Sequence, residues 1–251
     1  MPILLSNDDG ISSEGLAILQ RVLSDLDDTW VVAPDRDQSA VSHSLTLQRP
    51  LRIEQVGPHA FTVDGTPTDC VNLGINCIMR GEQRPCLVVS GINQGANLGD
   101  DVTYSGTVSA AMEATLLGVP ALAVSLATRP PFDYRAAAHF TRQLAEAVLV
   151  HRLPPDTLLN VNVPPGAPDR IQSFRFTRQG KRRYTDAIIE NTDPRGKKYY
   201  WIGGDQVDSV PEEGTDLWAV QRGLISVTPL HLDLTNYASL GVLDALAVMW
   251  P

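Results

Sequence analysis

Short runs of consecutive apolar residues alternate with segments of helical periodicity over the first two thirds of the chain. Because the runs are apolar at every position, each strand is predicted to be covered on both faces, as in a parallel sheet between helices. The predicted strands lie at 3–5, 30–33, 87–89, 121–124, 158–163 and 224–228. The predicted helices lie at about 15–26, 69–79, 107–117, 136–150 and 240–249. This alternation predicts an α/β fold.

The last third of the chain has a different character. Five of the twenty Lys and Arg residues in the whole chain fall within 175–183, around a Gln179-Gly180 pair that is a candidate hairpin turn. We expect a single domain over 1–251, because the sequence contains neither an internal repeat nor a clear linker. The expected parts are a core at about 1–175 and 220–235, a β-rich arm at about 176–219, and a C-terminal tail at about 236–251.

Charge and cysteine content narrow the class of protein. With 29 acidic against 20 basic residues, the net charge is −9, which argues against a protein that coats nucleic acid or an anionic membrane. The N-terminus has no signal-peptide pattern, and the longest apolar stretch, 114–128, is too short to span a bilayer. Three cysteines without a CxxC pair are typical of reduced thiols. We therefore expect a cytoplasmic protein.

Asp8 and Asp9 are adjacent carboxylates at the end of the first predicted strand. Neighbouring side chains of a regular strand point to opposite faces, so both reach one site only where the strand ends, and Gly10 permits the bend. Adjacent carboxylates also repel each other unless a cation lies between them. One interpretation is a divalent-metal site, and the other is a polar turn whose aspartates cap the next helix. The residues alone leave both interpretations open.

Polar segments also follow the second and third predicted strands. For the first, Asp35 to Ser39, a solvated loop is the simplest explanation. The second, Ser90 to Asp101, contains three glycines and two asparagines, which allow close approach of a ligand and supply neutral oxygens. Its spacing matches neither the dinucleotide motif GxGxxG nor the P-loop, which requires a lysine. Loops after neighbouring parallel strands meet at one sheet edge, so these segments are expected to converge with Asp8 and Asp9.

Ser105, Gly106 and Thr107 stand at the start of the long predicted helix. A helix start presents free N–H groups and a partial positive charge, which suit an anion such as phosphate. Ser and Thr are more often plain N-caps there, so this interpretation also has an alternative. Together, two aspartates, a hydroxyl and an amide offer only oxygen ligands, the set that Mg²⁺ and Mn²⁺ prefer.

The combination of these segments resembles the SurE family, the stationary-phase survival proteins, which are metal-dependent nucleotidases. The resemblance runs in order from Met1 to about Thr235, while the basic arm at 175–190 and the tail after Asn236 match loosely. It implies a Rossmann-like three-layer α/β/α sandwich with a mostly parallel sheet, a projecting β-hairpin arm and a C-terminal tail. The matching segments are Ile3–Gly10, Val32–Arg36, Gly65–Val71, Ser90–Asn97, Tyr104–Val108, Asp193–Gly196, Gly214–Asp216 and Thr228–His231.

The resemblance also implies ligands, a reaction and partners. One divalent ion per subunit, Mg²⁺ or Mn²⁺, would be held by Asp8, Asp9, Ser39 and Asn93. The expected reaction is hydrolysis of nucleoside 5′- and 3′-monophosphates, with activity on short polyphosphate in some members. The chain is expected to form a homodimer or homotetramer through its tail and hairpin. A nucleic-acid polymer or a membrane is not an expected partner.

The expected mechanism is metal-assisted attack of water on a phosphomonoester. Asp8 and Asp9 are the expected catalytic carboxylates, and Asn97 with Ser105–Thr107 is expected to hold phosphoryl oxygens. Three other classes fit less well. An aspartyl-phosphate phosphatase needs a DxD spacing, a dehydrogenase needs GxGxxG after the first strand, and a metal-dependent binding module leaves the anion pocket unexplained.

Two further groups of residues have competing interpretations. The basic residues Lys181, Arg182 and Arg183 are expected to guide an anionic substrate, to contact a partner subunit, or to form a solvated hairpin. Each histidine is expected to be structural, although His43 lies near enough to the second loop to meet a leaving group.

Overall fold

A nine-stranded sheet forms the centre of the computed structural model, which describes residues 2–166, 173–182, 184–185, 188–202, 205–206 and 211–247. From one edge to the other, the strands are β3 (Ile53–Gly57), β4 (Ala60–Val63), β2 (Thr29–Pro34), β1 (Ile3–Ser6), β5 (Leu87–Gln94), β6 (Ala121–Leu126), β7 (Thr157–Val163), β13 (Ile225–His231) and β8 (Phe174–Phe176).

Most of the sheet is parallel. The six strands from β4 to β7 run in the same direction, whereas β3 and β13 are antiparallel to their neighbours β4 and β7. Strands β1, β2 and β6 are buried at every position. This complete burial is what the uninterrupted apolar runs predict for a sheet covered on both faces.

Helices cover the two faces of the sheet in separate layers. The helices are α1 (Glu14–Leu23), α2 (Pro67–Leu73), α3 (Gly106–Leu116), α4 (Arg135–His151), α5 (Asp216–Gln221) and α6 (Tyr237–Ala247). Leu16 and Leu19 of α1 join Ala145 of α4 in one hydrophobic core, while Val71 of α2 joins Ala111 of α3 in the other. The predicted three-layer α/β/α fold is therefore confirmed.

Some elements differ from the sequence prediction. The hairpin of β3 and β4 was not predicted, because β3 lies at the sheet edge and most of its residues are exposed. The helix predicted at 69–79 ends at Leu73 and continues as a π-helical turn, Gly74–Ile78. Gly74 packs so closely on Leu4 that a Cβ would lie 2.9 Å from its Cδ2. The terminal helix starts at Tyr237, and 248–251 lie outside the described residues.

The β-rich arm carries a hairpin separate from the central sheet. Strands β10 (Ile188–Thr192) and β11 (Lys198–Ile202) pair antiparallel with each other, as do the short strands β9 (Tyr184–Thr185) and β12 (Asp205–Gln206). The hairpin turn lies between Thr192 and Lys198, so its predicted location at Gln179-Gly180 is wrong. Among the described residues, no helix is both long enough and apolar enough to cross a membrane.

Candidate active site

The carboxyl ends of β1, β2 and β5 meet the start of α3 at one edge of the sheet. The chain leaves β1 into a helix of one layer and leaves β5 into a helix of the other, so this edge is the topological switch point where α/β proteins bind ligands. Ser6 of β1 is level with Ser90 of β5. Asp8 and Asp9 lie two and three residues beyond this last pair of the two strands, and Asn93 lies three residues beyond it near the end of β5.

Asp8 is buried against the start of α3. The Thr107 hydroxyl donates a hydrogen bond of 2.5 Å to Asp8 Oδ1, and the Thr107 backbone N–H also donates to this carboxylate. Burial raises the pKa of Asp8, and these hydrogen bonds oppose the increase. Only glycine fits at 106, because a Cβ there would lie 2.7 Å from the Asp8 Cβ. The helix start is thus in direct contact with the carboxylate.

This contact bears on the alternative interpretation, in which the aspartates cap the next helix. The next helix in sequence, α1, is capped by Ser13, whose hydroxyl accepts a hydrogen bond from the Leu16 N–H. The expectation that the aspartates cap this next helix is therefore wrong, because Asp8 instead accepts hydrogen bonds from the start of α3. Asn7 binds the β1 end to α1 by donating to the Ser13 hydroxyl at 2.6 Å.

Asp9 lies half-buried beside Asp8, and its Oδ2 is buried with no hydrogen-bond partner among the described residues. Burial, followed by the negative charges of Asp8 and Asp37, raises the pKa of Asp9 from 3.8 to about 6. A buried carboxylate oxygen without a donor is costly, and a bound cation removes that cost. The arrangement around Asp9 therefore fits a cation.

The second loop is attached to the end of β1. The Gln38 N–H donates to the Asp8 carbonyl at 2.8 Å, and Gly10, at a φ of +94°, packs against the Arg36 backbone. Ser39 follows this attachment point, and its hydroxyl donates to Asp37 Oδ1 at 2.6 Å. Ser39 is exposed, and its hydrogen-bond contacts in the described structure are with Asp37.

Asn93 lies near the end of β5, where the pairing with β6 shifts register after Ser90. Its Nδ2 donates to the Gly95 carbonyl at 2.9 Å, which orients the side-chain amide. Its carbonyl oxygen accepts no hydrogen bond from the described residues. With Asp8, Asp9 and Ser39, it gives a donor set made only of oxygen atoms.

This donor set contains only two carboxylates. Across the described parts of the chain, no three His, Cys, Asp or Glu side chains come together in an arrangement that could hold a metal ion. The amide of Asn93 and the hydroxyl of Ser39 would therefore have to complete the ligand shell. Such a mixed oxygen shell suits a hard cation that retains several water ligands, as Mg²⁺ does.

Asn97 is held in a buried polar network. Its N–H donates to Asn162 Oδ1 and its Nδ2 to the Ser125 hydroxyl, both at 2.8 Å, while its carbonyl accepts from Asn160 and Asn162. The network fixes the third loop on β6 and β7. Sequence reasoning did not identify Asn160 and Asn162, although two asparagines within an apolar strand were a usable signal.

Ser105 is the N-cap of α3, because its hydroxyl accepts a hydrogen bond from the Val108 N–H at 3.1 Å. The Ser105 hydroxyl therefore acts as an ordinary N-cap. The N–H of Gly106 forms no hydrogen bond within the described structure and belongs to the first turn, where N–H groups are open to an anion. Thr107 donates to Asp8, so Ser105 caps the helix, Gly106 leaves its N–H open and Thr107 holds the carboxylate.

His43 contacts a buried carboxylate of α3. Its Nε2 lies 2.9 Å from Glu113 Oε2, and Asn72 donates to Glu113 Oε1 at 2.7 Å. Burial opposes ionisation of Glu113, but the hydrogen bonds from His43 and Asn72 outweigh it and lower the pKa of this carboxyl. The contact attaches the second loop to α3, which is the structural role expected for His43.

The base of the arm is attached to the turn that precedes α3. Buried Asp216 accepts hydrogen bonds from the N–H groups of Gly99 and Gly180 at 2.8 and 2.9 Å. Lys181 and Arg182 form ion pairs with the carboxylates of Asp100 and Asp101, respectively. These two basic residues therefore bind their own chain, and Arg183 lies outside the described residues.

Comparisons with known proteins place this geometry in context. The family model described as "Survival protein SurE" matches residues 3–186. A protein of Geobacter metallireducens named 5′-nucleotidase SurE is 56% identical over 244 residues, covering 97% of this chain and 96% of that protein. One of the same name from Syntrophotalea carbinolica is 57% identical over 241 residues, covering 95% and 94%. The crystal structure of a SurE protein from Aquifex aeolicus has a TM-score of 0.89 and 46% identity, covering 98% of this chain and all of that one.

Proposed function

Because the chain belongs to the SurE family, we propose that it is a metal-dependent phosphomonoesterase that hydrolyses nucleoside 5′-monophosphates to nucleoside and phosphate. Relatives named 5′-nucleotidase match it over nearly their whole length, which supports the same activity here. The observation that carries the proposal is the unpartnered buried oxygen of Asp9 beside Asp8 at the start of α3. These features support a cation site next to an anion site.

Asp8, Asp9, Ser39 and Asn93 would hold one divalent ion per subunit. The unpartnered oxygen of Asp9, the raised pKa of both aspartates and the all-oxygen donor set support Mg²⁺ or Mn²⁺. When bound, the ion supplies a Lewis acid that polarises a phosphoryl oxygen and lowers the pKa of a coordinated water.

The chain's own groups position the substrate. The free N–H of Gly106 and the partial positive charge of the α3 start bind phosphoryl oxygens as negative charge redistributes. Thr107 holds Asp8 in one orientation, and Asp9 accepts a hydrogen bond from the attacking water. Asn97 fixes the backbone of the third loop, so we assign it a positioning role and a direct phosphate contact through the second N–H of its Nδ2, since the first donates to Ser125.

The substrate range follows from where the recognition groups lie. All the groups above contact the phosphoryl group or the cation, so a 3′-monophosphate or the end of a short polyphosphate chain can present the same chemistry. We therefore include nucleoside 3′-monophosphates and short-chain polyphosphate as further substrates in the proposal.

Exposed apolar side chains support self-association as a homodimer or homotetramer. Trp201 and Ile202 of the hairpin are 64% and 90% exposed, and Leu234 before α6 is 94% exposed. Ile188 of β10 is 67% exposed and pairs with Ile202, so the hairpin presents contiguous apolar surface of the kind that marks protein interfaces. All three cysteines are free thiols, which supports a reducing compartment, and we propose the cytoplasm.

A phosphate-release assay tests the proposed reaction. Purified protein is offered nucleoside 5′- and 3′-monophosphates and tripolyphosphate with Mg²⁺, Mn²⁺ or a chelator. We expect release from 5′-monophosphates only with a divalent ion, and a loss of at least about 100-fold in kcat for Asp9→Asn. Asp25→Asn, an exposed carboxylate remote from the site, is the matched control. Near-normal turnover of Asp9→Asn at saturating Mn²⁺ would refute the assignment.

A further inference from the structure

A cavity of about 490 Å³ lies on the same sheet edge as the aspartates and has no role in the reaction described above. Gly95 and Ala96, which lie between Asn93 and Asn97, form the wall nearest the site. The segments after β6 and β7 and one face of α5 form the rest. The volume lies within the range of roughly 300–1,000 Å³ that is usual for small-molecule sites.

The distance from the aspartates suits the remainder of a nucleotide. In the sheet, β6 and β7 lie two and three strands away from β1. Neighbouring strands are about 4.8 Å apart, so the cavity lies roughly 10–15 Å from the end of β1 along the sheet edge. A ligand whose phosphate contacts Asp9 and α3 can therefore extend past Asn93 into the cavity.

The cavity walls are divided by chemistry. Leu98, Leu217 and Val220 supply apolar surface against which a planar ring can pack. On the polar side, the charge of Arg182 is paired with Asp101. Arg129 lies three residues after the end of β6 and is exposed. Its side chain forms no hydrogen bond or ion pair with the described part of the chain. Its guanidinium is therefore available to a ligand.

We propose that this cavity holds the nucleoside of the substrate and that Arg129 recognises the base, with a preference for guanine. A guanidinium has a planar fork of donors and no acceptor. Guanine presents two adjacent acceptors, O6 and N7, which arginine binds in a bidentate manner, whereas adenine replaces O6 with an amino donor. The inference rests on the proposed nucleotidase function and adds the base specificity.

Steady-state kinetics with three substrates test this assignment. GMP and AMP differ only in the base, and p-nitrophenyl phosphate carries no nucleoside. For Arg129→Ala we expect the GMP-to-AMP ratio of kcat/KM to fall by about tenfold, mainly through the KM for GMP. For Thr128→Phe, which fills the cavity, we expect the GMP-to-p-nitrophenyl phosphate ratio to fall by at least about tenfold.

Arg21→Ala is the matched control. Arg21 lies in a separate cavity of about 480 Å³ between α1 and α4, and it also forms no side-chain hydrogen bond or ion pair with the described residues. We expect both ratios to stay at their wild-type values in this variant. Equal ratios in Arg21→Ala and Arg129→Ala would overturn the role of Arg129.

The outcomes separate this inference from the proposed function. If the wild-type protein hydrolyses p-nitrophenyl phosphate but no nucleotide, the proposed function itself fails. If it hydrolyses nucleotides while Thr128→Phe slows all three substrates equally, the reaction stands and the cavity assignment is overturned. A wild-type preference for AMP over GMP overturns the recognition of guanine.

Discussion

Thr107 donates a hydrogen bond of 2.5 Å to Asp8, which lies 99 positions earlier in the sequence. This contact joins the start of α3 to the end of β1, the two elements that supply the anion and cation parts of the proposed site. Because Asp8 is only 5% exposed, its carboxylate depends on donors from the protein.

Removal of this donor is expected to affect catalysis more than folding. In Thr107→Val the side chain keeps its shape but leaves Asp8 with fewer donors, so the pKa of Asp8 rises further and cation binding weakens. We expect kcat to fall by about 10- to 100-fold. Thr107→Ser, which restores the hydroxyl, should recover most of the activity, and equal rates in the two variants would contradict this role.

Gly106 is expected to tolerate no side chain. In Gly106→Ala the new Cβ would lie 2.7 Å from the Asp8 Cβ, so the helix start or the aspartate must move. We expect a loss of about 1–3 kcal/mol in the free energy of unfolding, measured by urea denaturation, together with loss of activity. Gly241→Ala in α6 has open space around its Cβ and is the control, with no loss of stability expected.

The raised pKa of Asp9 predicts that the metal-free protein loses stability as the pH rises. The folded state keeps the Asp9 proton up to a pKa of about 6, whereas the unfolded chain releases it near 3.8. Between these values the unfolded state binds fewer protons, so the free energy of unfolding falls with increasing pH. Asp8, whose pKa burial also raises, contributes in the same direction.

Urea denaturation in the presence of a chelator at pH 4 and pH 7 would measure this loss. Asp9→Asn cannot ionise, so we expect its stability to depend less on pH than that of the wild-type protein. Addition of Mg²⁺ should stabilise the wild type at pH 7 more than at pH 4, because a cation binds the ionised carboxylates. A wild-type stability that rises over this interval in step with Asp9→Asn would contradict the prediction.

The buried carboxylate of Asp216 is expected to be essential for attachment of the arm. Asp216 accepts hydrogen bonds from Gly99 and Gly180, and in Asp216→Asn an NH₂ group would face one of these N–H donors. We expect a loss of about 2–3 kcal/mol in the free energy of unfolding. Glu212→Gln changes an exposed ion pair with Arg178 and should cost less than about 1 kcal/mol.

The exposed hairpin is expected to determine the oligomeric state. Ile202 is 90% exposed in the single chain and would be buried in the proposed interface. Ile202→Lys places a charge at this position. We expect the molar mass from light scattering to decrease by whole subunits. Lys197→Glu, in the turn of the same hairpin, changes charge without removing apolar surface and should keep the wild-type mass. An unchanged mass for Ile202→Lys would exclude this hairpin as an interface.

The sequence predicted the centre of the fold better than its edges. Strands such as β1 and β6 are buried on both faces, so every residue in them is apolar or small and the pattern is unambiguous. Strand β3 lies at the sheet edge, where exposed polar residues are tolerated and the pattern is lost. Gly74, the C-cap of α2, packs against Leu4 of the sheet, a long-range contact that no local pattern shows.

The sequence predicted that the segments after β1, β2 and β5 meet at one sheet edge, but it did not predict the contacts that support them. Asp8 and Asp9 lie just after the end of a strand, and this local feature can be recognised in the sequence. Asp216 accepts hydrogen bonds from Gly99 and Gly180 and so joins three segments that are distant in the sequence. The role of Asp216 could therefore be recognised only in the tertiary structure. The roles of Asp8, Asp9, Ser39 and Asn93 as metal ligands stay predictions, of which the Asp9→Asn experiments test that of Asp9.

The separation of Asp8 from α3 has a consequence for synthesis on the ribosome. The aspartates emerge among the first ten residues, but the helix start that donates to Asp8 follows about a hundred residues later. At about 5–20 residues per second, the nascent chain carries these carboxylates for roughly 5–20 s without their partner. Cation binding at this site therefore cannot guide the earliest steps of folding and can only stabilise a chain whose first half is already assembled.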